Sequence, residues 1–361
     1  MRTTSLFAAT PRELVINVTL QCPLRCSHCC FSSDMFKLGH LDGDGAVQAV
    51  REAAALGSFE IVHFVGGDPF LHPDIMQRAF AEARAQGLAG GATTSAFWAK
   101  SLDRARAMLR PLVAAGLTEL TLSHDDAHAA FVPVKWVHHA MRAGLELGLA
   151  IRIAVTVAPG AAVTAETVRS QLRPDEAARV AVYAVPVNET GRAAETGTAT
   201  EAADAPDCVP DPQAPDDAAN APCHSVLRTF TVTHDGDVQP CCGVLPQYPG
   251  LRVGRLATGL AAAVEAACAD PLWQWLAYEG PAAVLREIGG DARGCTGVCA
   301  ACDRIFRDPA RVAAARVAAE GQRARLAAYG AALRLMAQAL ETPGDAVPAA
   351  AASADGVVHA A

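Results

Sequence analysis

Short apolar runs alternate with amphipathic stretches of helical period through the first half of the chain. Six runs read as strands: 14–20 (LVINVTL), 59–65 (FEIVHFV), 89–95 (AGGATTS), 117–123 (LTELTLS), 150–157 (AIRIAVTV) and 180–185 (VAVYAV). Helix patterns fall between them, near 43–57, 74–87, 101–115, 133–148 and 164–172. Asp74 and Ser101 suit helix starts as caps or first-turn residues. Gly57, Gly87, Gly116 and Gly148 stand where four of the helices end. Strands alternating with helices require β-α-β crossovers and hence a parallel sheet. Six units fall short of a closed eight-fold barrel, so the pattern predicts an α/β fold with an open, partial (β/α)6 barrel. Ligands of such sheets bind beyond the C-terminal ends of the strands.

The texture changes at Glu189. Residues 189–222 are rich in Ala, Thr, Asp, Pro and Gly and read as a flexible acidic linker. Then comes a hairpin pattern, SVLRTFTVTHDGDVQP, with Asp235-Gly236 at its turn. The expected organisation is a barrel over 1–188, the linker, a small α+β domain over 223–308, one long Ala/Arg helix over 309–341 and a disordered tail over 342–361.

Composition narrows the class. With 361 residues, 51% of them hydrophobic, the chain buries a large core. A net charge of −8 lacks the Lys/Arg footprint of a nucleic-acid binder, so no nucleic-acid partner is expected. The N-terminus has no apolar run of the signal-peptide kind, and no apolar stretch reaches the ~18 residues of a membrane span. The expectation is a cytoplasmic protein without a membrane partner. Twelve cysteines in such a chain point to metal binding or chemistry rather than to disulfides.

Directly after the first strand comes QCPLRCSHCC, with the spacing Cys22-x3-Cys26-x2-Cys29. Three thiolates on one loop satisfy three irons of a cubane and leave the fourth open to a substrate or cofactor. The competing reading is a structural zinc knot completed by His28 or Cys30; the x3 gap and the place after the first strand count against it.

CxxxCxxC after the first strand resembles the signature of the radical S-adenosylmethionine (SAM) enzymes, and the resemblance extends over residues 14–190. VGGDPFLHPD, after the second strand, is similar to that family's glycine-glycine-glutamate motif, with Asp68 in the place of Glu. The resemblance implies that Gly66, Gly67 and Asp68 receive the methionine amino group of SAM, the glycines allowing close backbone approach. It implies an adenine-packing role for His28, ribose or carboxylate contacts for Ser95 and for Ser123 in SHDDAH, a ribose contact for Asp125, and a SAM-carboxylate contact or an exterior place for Arg152. It also implies a [4Fe–4S] cluster held by Cys22, Cys26 and Cys29, reductive cleavage of SAM to a 5′-deoxyadenosyl radical, and hydrogen abstraction from a C–H bond. His124, Asp126, His128 and Tyr183 stand at or near strand ends as acid–base candidates, with Asp125 and His128 carried as catalytic candidates. His72 reads as support for the turn into the second helix.

Cys223 and Cys241 flank the hairpin, and Cys295, Cys299 and Cys302 follow. The arrangement resembles the SPASM and twitch extensions of radical SAM enzymes. No cysteine follows Cys302, which favours a twitch-like domain with one auxiliary [4Fe–4S] cluster on Cys223, Cys241, Cys299 and Cys302, or with Cys295 replacing one of them. A structural zinc is the alternative. Cys242, beside a ligand position, is either a hydrogen-atom donor or a further ligand. Cys30 and Cys268 read as small buried hydrophobes, and Cys208 is left over.

The resemblance implies maturation of a ribosomally made peptide or of a natural product, by an oxidoreductase of the maturase kind. A small-molecule dehydrogenase or epimerase is the close competitor. Only about a dozen residues precede the first strand, so a peptide substrate implies a separate leader-binding partner or none. The family resemblance adds a flavodoxin- or ferredoxin-type reductant. From other classes remain an iron–sulfur electron-transfer protein, which needs no glycine-rich SAM motif, and a zinc-stabilised binding module.

Overall fold

A computed structural model describes residues 10–341, apart from Pro159, Glu189, residues 197–217, Pro246 and Thr296. Among the described residues there are nine strands: β1 (Glu13–Asn17), β2 (Ile61–Val65), β3 (Ala89–Thr94), β4 (Leu117–Ser123), β5 (Ala150–Val157), β6 (Val180–Pro186), β7 (Thr229–Val232), β8 (Asp237–Gln239) and β9 (Gly254–Arg255). The helices up to the end of the barrel are α1 (Gly43–Ala55), α2 (Pro73–Ala85), α3 (Leu102–Ala115), α4 (Asp126–Ala129), α5 (Val134–Glu146), α6 (Ala165–Ser170) and α7 (Pro174–Ala177). Beyond it lie α8 (Arg192–Thr196), α9 (Leu260–Ala269), α10 (Pro271–Glu279), α11 (Pro281–Glu287), α12 (Val298–Phe306), α13 (Pro309–Gly321) and α14 (Arg323–Glu341).

The first six strands are parallel and stand in the order β6-β5-β4-β3-β2-β1, as the alternation of strand and helix patterns requires. The sheet does not close between β6 and β1, so the barrel is open. Helix ends follow local chemistry. Ser101 caps α3 by accepting from the Arg104 N–H at 3.3 Å, and Asp74 lies in the first turn of α2. Gly57, Gly87, Gly116 and Gly148 all have positive φ, between 72° and 136°, a backbone that a side chain disfavours. Leu14, Ile16, Phe64, Phe80, Leu109 and Leu120 form the buried layer between sheet and helices.

Three expectations change. First, the sheet continues past the supposed domain boundary: β7 pairs in parallel with β1, with β8 and β9 beyond it. The hairpin turn is where it was read, with Gly236 at φ 82°. Second, residues 190–196 are not linker but a loop and the short helix α8, packed on the cysteine loop. The Arg192 guanidinium donates to the carbonyls of Cys26 and Ser33 at 2.8 Å each, and its backbone N–H donates to Cys29 O at 2.9 Å. Composition did not reveal this because one buried arginine, not an apolar run, holds the segment. Third, the long C-terminal helix is two, α13 and α14, parted at Gln322 after Gly321, where glycine weakens helix. Cys208 and the tail over 342–361 lie outside the described residues, as does most of the predicted linker.

Candidate iron–sulfur and SAM site

A cavity of about 270 Å³ lies at the C-terminal ends of the strands. On one side is the loop after β1, with Cys22, Cys26, His28, Cys29 and Cys30; opposite are Gly66 and Gly67 after β2, Ser95 after β3, Ser123 at the end of β4 and Asn188 beyond β6. The cysteine loop is held from several directions: the Arg192 clamp, the Cys22 N–H to Asp34 O at 3.1 Å, and bridges of Thr19 to His40 and Gln21 to Asp34. Two sulfurs accept backbone N–H groups, Cys22 from Leu24 and Cys29 from Ser33, each at 3.4 Å. Burial, with the charge of Asp68 next, pushes the Cys22 thiol up. Beyond such N–H donors, this all-sulfur set needs a soft cation to become charged, and an iron–sulfur cluster is such a ligand. The residues therefore fit the cluster.

Gly66 and Gly67 are steric requirements of the same loop. Gly66 has φ 131°, and a Cβ there would stand 2.3 Å from Thr19 O. A Cβ on Gly67 would stand 1.8 Å from Gln21 O, inside the loop that carries the cysteines. Asp68 behaves differently from its neighbours. Its carboxylate is 1% exposed and is turned into the protein, away from the cavity lining. It accepts from the Thr94 hydroxyl (2.9 Å), the Ser95 hydroxyl (2.7 Å), the Ser95 N–H (2.9 Å) and the Phe70 N–H (3.1 Å). Burial pushes its carboxyl up against these donors. In this arrangement Asp68 shapes the β3 end, and Ser95 faces the cavity from its grip.

The strand-four residues form one network. Asp125, 1% exposed, caps α4 through the His128 N–H (3.0 Å) and accepts the His128 Nδ1 (2.8 Å) and the His28 Nε2 (2.9 Å). His28 and His128 line the cavity and Asp125 stands behind them. Burial opposes the Asp125 charge, but His128 and His28 hold its carboxyl well below the usual range. Asp126 spends its carboxylate on the N–H groups of Ala162 and Val163. His124 is 3% exposed, and burial pushes its imidazole below the usual range. Arg152 is not in the cavity lining; it pairs with Glu119 at 3.1 Å. Tyr183 stands near Arg152 and Glu119, its hydroxyl pushed up by burial. His72 precedes α2 and stacks on His40 with ring centroids 4.4 Å apart. Thr93, Thr94, Thr156 and Asn188 also line the cavity and escaped the sequence reading; their place at the ends of β3, β5 and β6 was the available signal.

A second pocket gathers five cysteines: Cys223, Cys241, Cys242, Cys299 and Cys302. Apolar side chains, among them Val226, Leu251, Trp273 and Leu276, enclose it. Cys299 and Cys302 fall three residues apart in α12, on one face. Burial pushes the thiols of Cys223, Cys241, Cys299 and Cys302 up, and the Cys242 thiol up to about 11. The donor set fits an iron–sulfur cluster or zinc. Cys295 is absent from the lining, and Cys242, read as either a hydrogen-atom donor or a further ligand, is in it. Cys299, Val244 and Val298 line both pockets. Cys30 is on the first cavity rather than in the core, and Cys268, on α9, is in neither.

Residues 16–145 match the sequence profile of the Radical SAM superfamily. A peptide biosynthesis protein of Bacillus subtilis, YydG, is 23% identical over 148 residues, 40% of this chain and 46% of that protein. The PqqA peptide cyclase of Xanthomonas euvesicatoria is 33% identical over 124 residues, 34% of this chain and 32% of the cyclase. The matched segments thus cover less than half the length of these relatives. Among solved structures, BtrN in complex with AdoMet and 2-DOIA is 12% identical with a TM-score of 0.45, over 74% of this chain and 88% of that one. The profile match takes in the loops after β1 and β2 that carry Cys22, Cys26, Cys29, Gly66 and Gly67, and over residues 16–145 the chain is similar to the Radical SAM superfamily.

Proposed function

We propose that the chain is a radical SAM enzyme that modifies a peptide, with one auxiliary iron–sulfur cluster behind its active cavity. The carrying observation is the convergence of Cys22, Cys26 and Cys29 with Gly66 and Gly67 around one cavity at the strand ends. When bound, a [4Fe–4S] cluster with one open iron supplies the electron that cleaves SAM to the radical that abstracts hydrogen. Cys22, Cys26 and Cys29 hold that cluster, and Arg192 fixes their loop. Gly66 and Gly67 bring backbone to the methionine end of SAM, while His28, Ser95 and Ser123 face its remaining polar groups. The apolar wall of Val65, Val185 and Val187 excludes water from the reacting centre. Cys223, Cys241, Cys299 and Cys302 hold the auxiliary cluster, and Cys242 is a fifth thiol on the same pocket. A peptide substrate is supported by the similar proteins, a peptide biosynthesis protein and a peptide cyclase. A flavodoxin- or ferredoxin-type protein is the proposed reductant, and a separate leader-binding protein the proposed helper.

The test is anaerobic reconstitution with iron and sulfide, an iron count, and an assay for 5′-deoxyadenosine after reduction with SAM. About eight irons per chain, falling to about four in a Cys22/Cys26/Cys29→Ala variant that makes no deoxyadenosine, is the expected result. About four irons in the wild type removes the auxiliary cluster from the proposal. Zinc in place of iron, with no deoxyadenosine, overturns the radical reading.

A further inference from the structure

Trp273, on α10, carries a buried N–H that no described residue accepts. The side chain is 1% exposed, and its Nε1 has no hydrogen-bond partner among the described residues. An indole nitrogen can only donate, and buried donors are ordinarily paired. Two other indoles of the chain follow that rule: the Trp98 Nε1 donates to the Thr94 hydroxyl at 3.1 Å, and the Trp275 Nε1 donates to Glu279 at 3.0 Å. Trp273 differs from both in its place, because it lines the pocket of Cys223, Cys241, Cys242, Cys299 and Cys302. The ring is fixed there by stacking. Its centroid lies 5.3 Å from that of Phe306 with the planes 3° from parallel, and the Arg316 guanidinium stands over it at 6.0 Å. Apart from Ser225 and the thiols, the pocket lining is apolar. A water molecule would lack the roughly two to four polar partners that hold one in a buried site. What the pocket offers a donor is sulfur.

We propose that the Trp273 indole N–H donates a hydrogen bond to a sulfur of the auxiliary iron–sulfur cluster and thereby raises that cluster's reduction potential. This rests on the auxiliary-cluster reading above. A thiol is a weak acceptor, whereas the sulfurs of a bound cluster carry negative charge and accept such a donor well. A donor on those sulfurs stabilises the further negative charge of the reduced state. Trp273 tunes the cluster and takes no part in holding it, since an indole is not an iron ligand.

The experiment is a redox titration followed by electron paramagnetic resonance on reconstituted full-length protein, tracking the signal that SAM leaves unchanged. Wild type, Trp273→Phe and Trp275→Phe are compared, each with its iron count. Trp273→Phe keeps a ring to stack on Phe306 and removes only the donor; Trp275→Phe is the control, its N–H being spent on Glu279 outside the pocket. Full iron content with a more negative midpoint in Trp273→Phe, and a wild-type midpoint in Trp275→Phe, support the proposal. An unchanged midpoint in iron-replete Trp273→Phe overturns it, and so does an equal shift in both variants. Should Trp273→Phe fail to take up iron, pulsed resonance on wild type and Trp275→Phe with isotopically labelled indole nitrogen decides. Coupling of that nitrogen to the reduced cluster in both proteins supports the proposal; no coupling, or coupling lost with Trp275, overturns it. A wild type that holds zinc or no metal in this pocket overturns the auxiliary-cluster reading and this inference together, whereas an unchanged midpoint in loaded protein leaves the auxiliary cluster standing.

Discussion

Gly67 is the residue at which the site tolerates least. A methyl group there meets the Gln21 carbonyl at 1.8 Å, and neither backbone segment yields easily, because the Asp68 N–H donates to that same carbonyl at 2.9 Å. Gly67→Ala is expected to cost about 3 kcal/mol or more and to abolish deoxyadenosine formation; urea denaturation and the product assay read the two effects. Asp68 is the complementary case. Truncation to alanine leaves the Thr94 and Ser95 hydroxyls and the Ser95 N–H buried with no acceptor, at a cost of about 3 kcal/mol. If Asp68 instead acts mainly on SAM, Asp68→Ala loses SAM affinity with an unchanged denaturation midpoint. The motif itself was readable from its spacing after β2. The inward turn of the carboxylate was not, because it depends on donors from β3, 26 and 27 positions away.

At the level of the element, short helices are anchored by side chains rather than by length. The four-residue α7 is held by Glu176, whose carboxylate accepts from Arg142 on α5 at 2.7 Å and from the Arg173 N–H at 3.0 Å. Burial would push Glu176 up, but the hydrogen bonds from Arg142 and Arg173 and their charges outweigh it and hold the carboxyl below its usual range. A depressed folded value means the stabilisation is fully present above the unfolded value of about 4.3 and is lost as pH falls through the folded value. Glu176→Gln should cost about 1–3 kcal/mol at neutral pH and flatten the loss of stability below about pH 4; melting curves across pH measure both. The element α12 carries the second prediction at this scale. Cys295→Ser keeps the wild-type iron count, since its side chain is outside the five-thiol pocket, while Cys299→Ser and Cys302→Ser each lose about four irons. Strands and most helix ends were legible because runs of apolar residues and terminal glycines are local signals. The choice between Cys295 and Cys299 was not, because it follows from which thiols the fold brings beside Cys223 and Cys241 in the pocket.

The whole molecule is tied through β1. All five of its residues are buried, and it is an interior strand only because β7 pairs with it on the side away from β2. The Thr229 hydroxyl reaches Glu13 across that pairing at 3.2 Å, and Thr190 reaches the Val244 carbonyl at 3.3 Å, so barrel and C-terminal part are joined at both ends of the connecting segment. The two cysteine pockets share Val244, Val298 and Cys299 as a common wall. A chain cut after residue 222 would leave β1 as a bare apolar edge, which invites intermolecular pairing. It would also strip Val244, Val298 and Cys299 from the first cavity. Such a fragment is expected to elute from gel filtration as aggregate and to bind no stable cluster on Cys22, Cys26 and Cys29. A monodisperse fragment that loads about four irons would instead mean that the barrel folds alone and that β7 is an addition to a finished sheet. The β1–β7 register argues for the first outcome, because four consecutive residues of β1, Glu13 to Ile16, are matched to Thr229 to Val232 without a break.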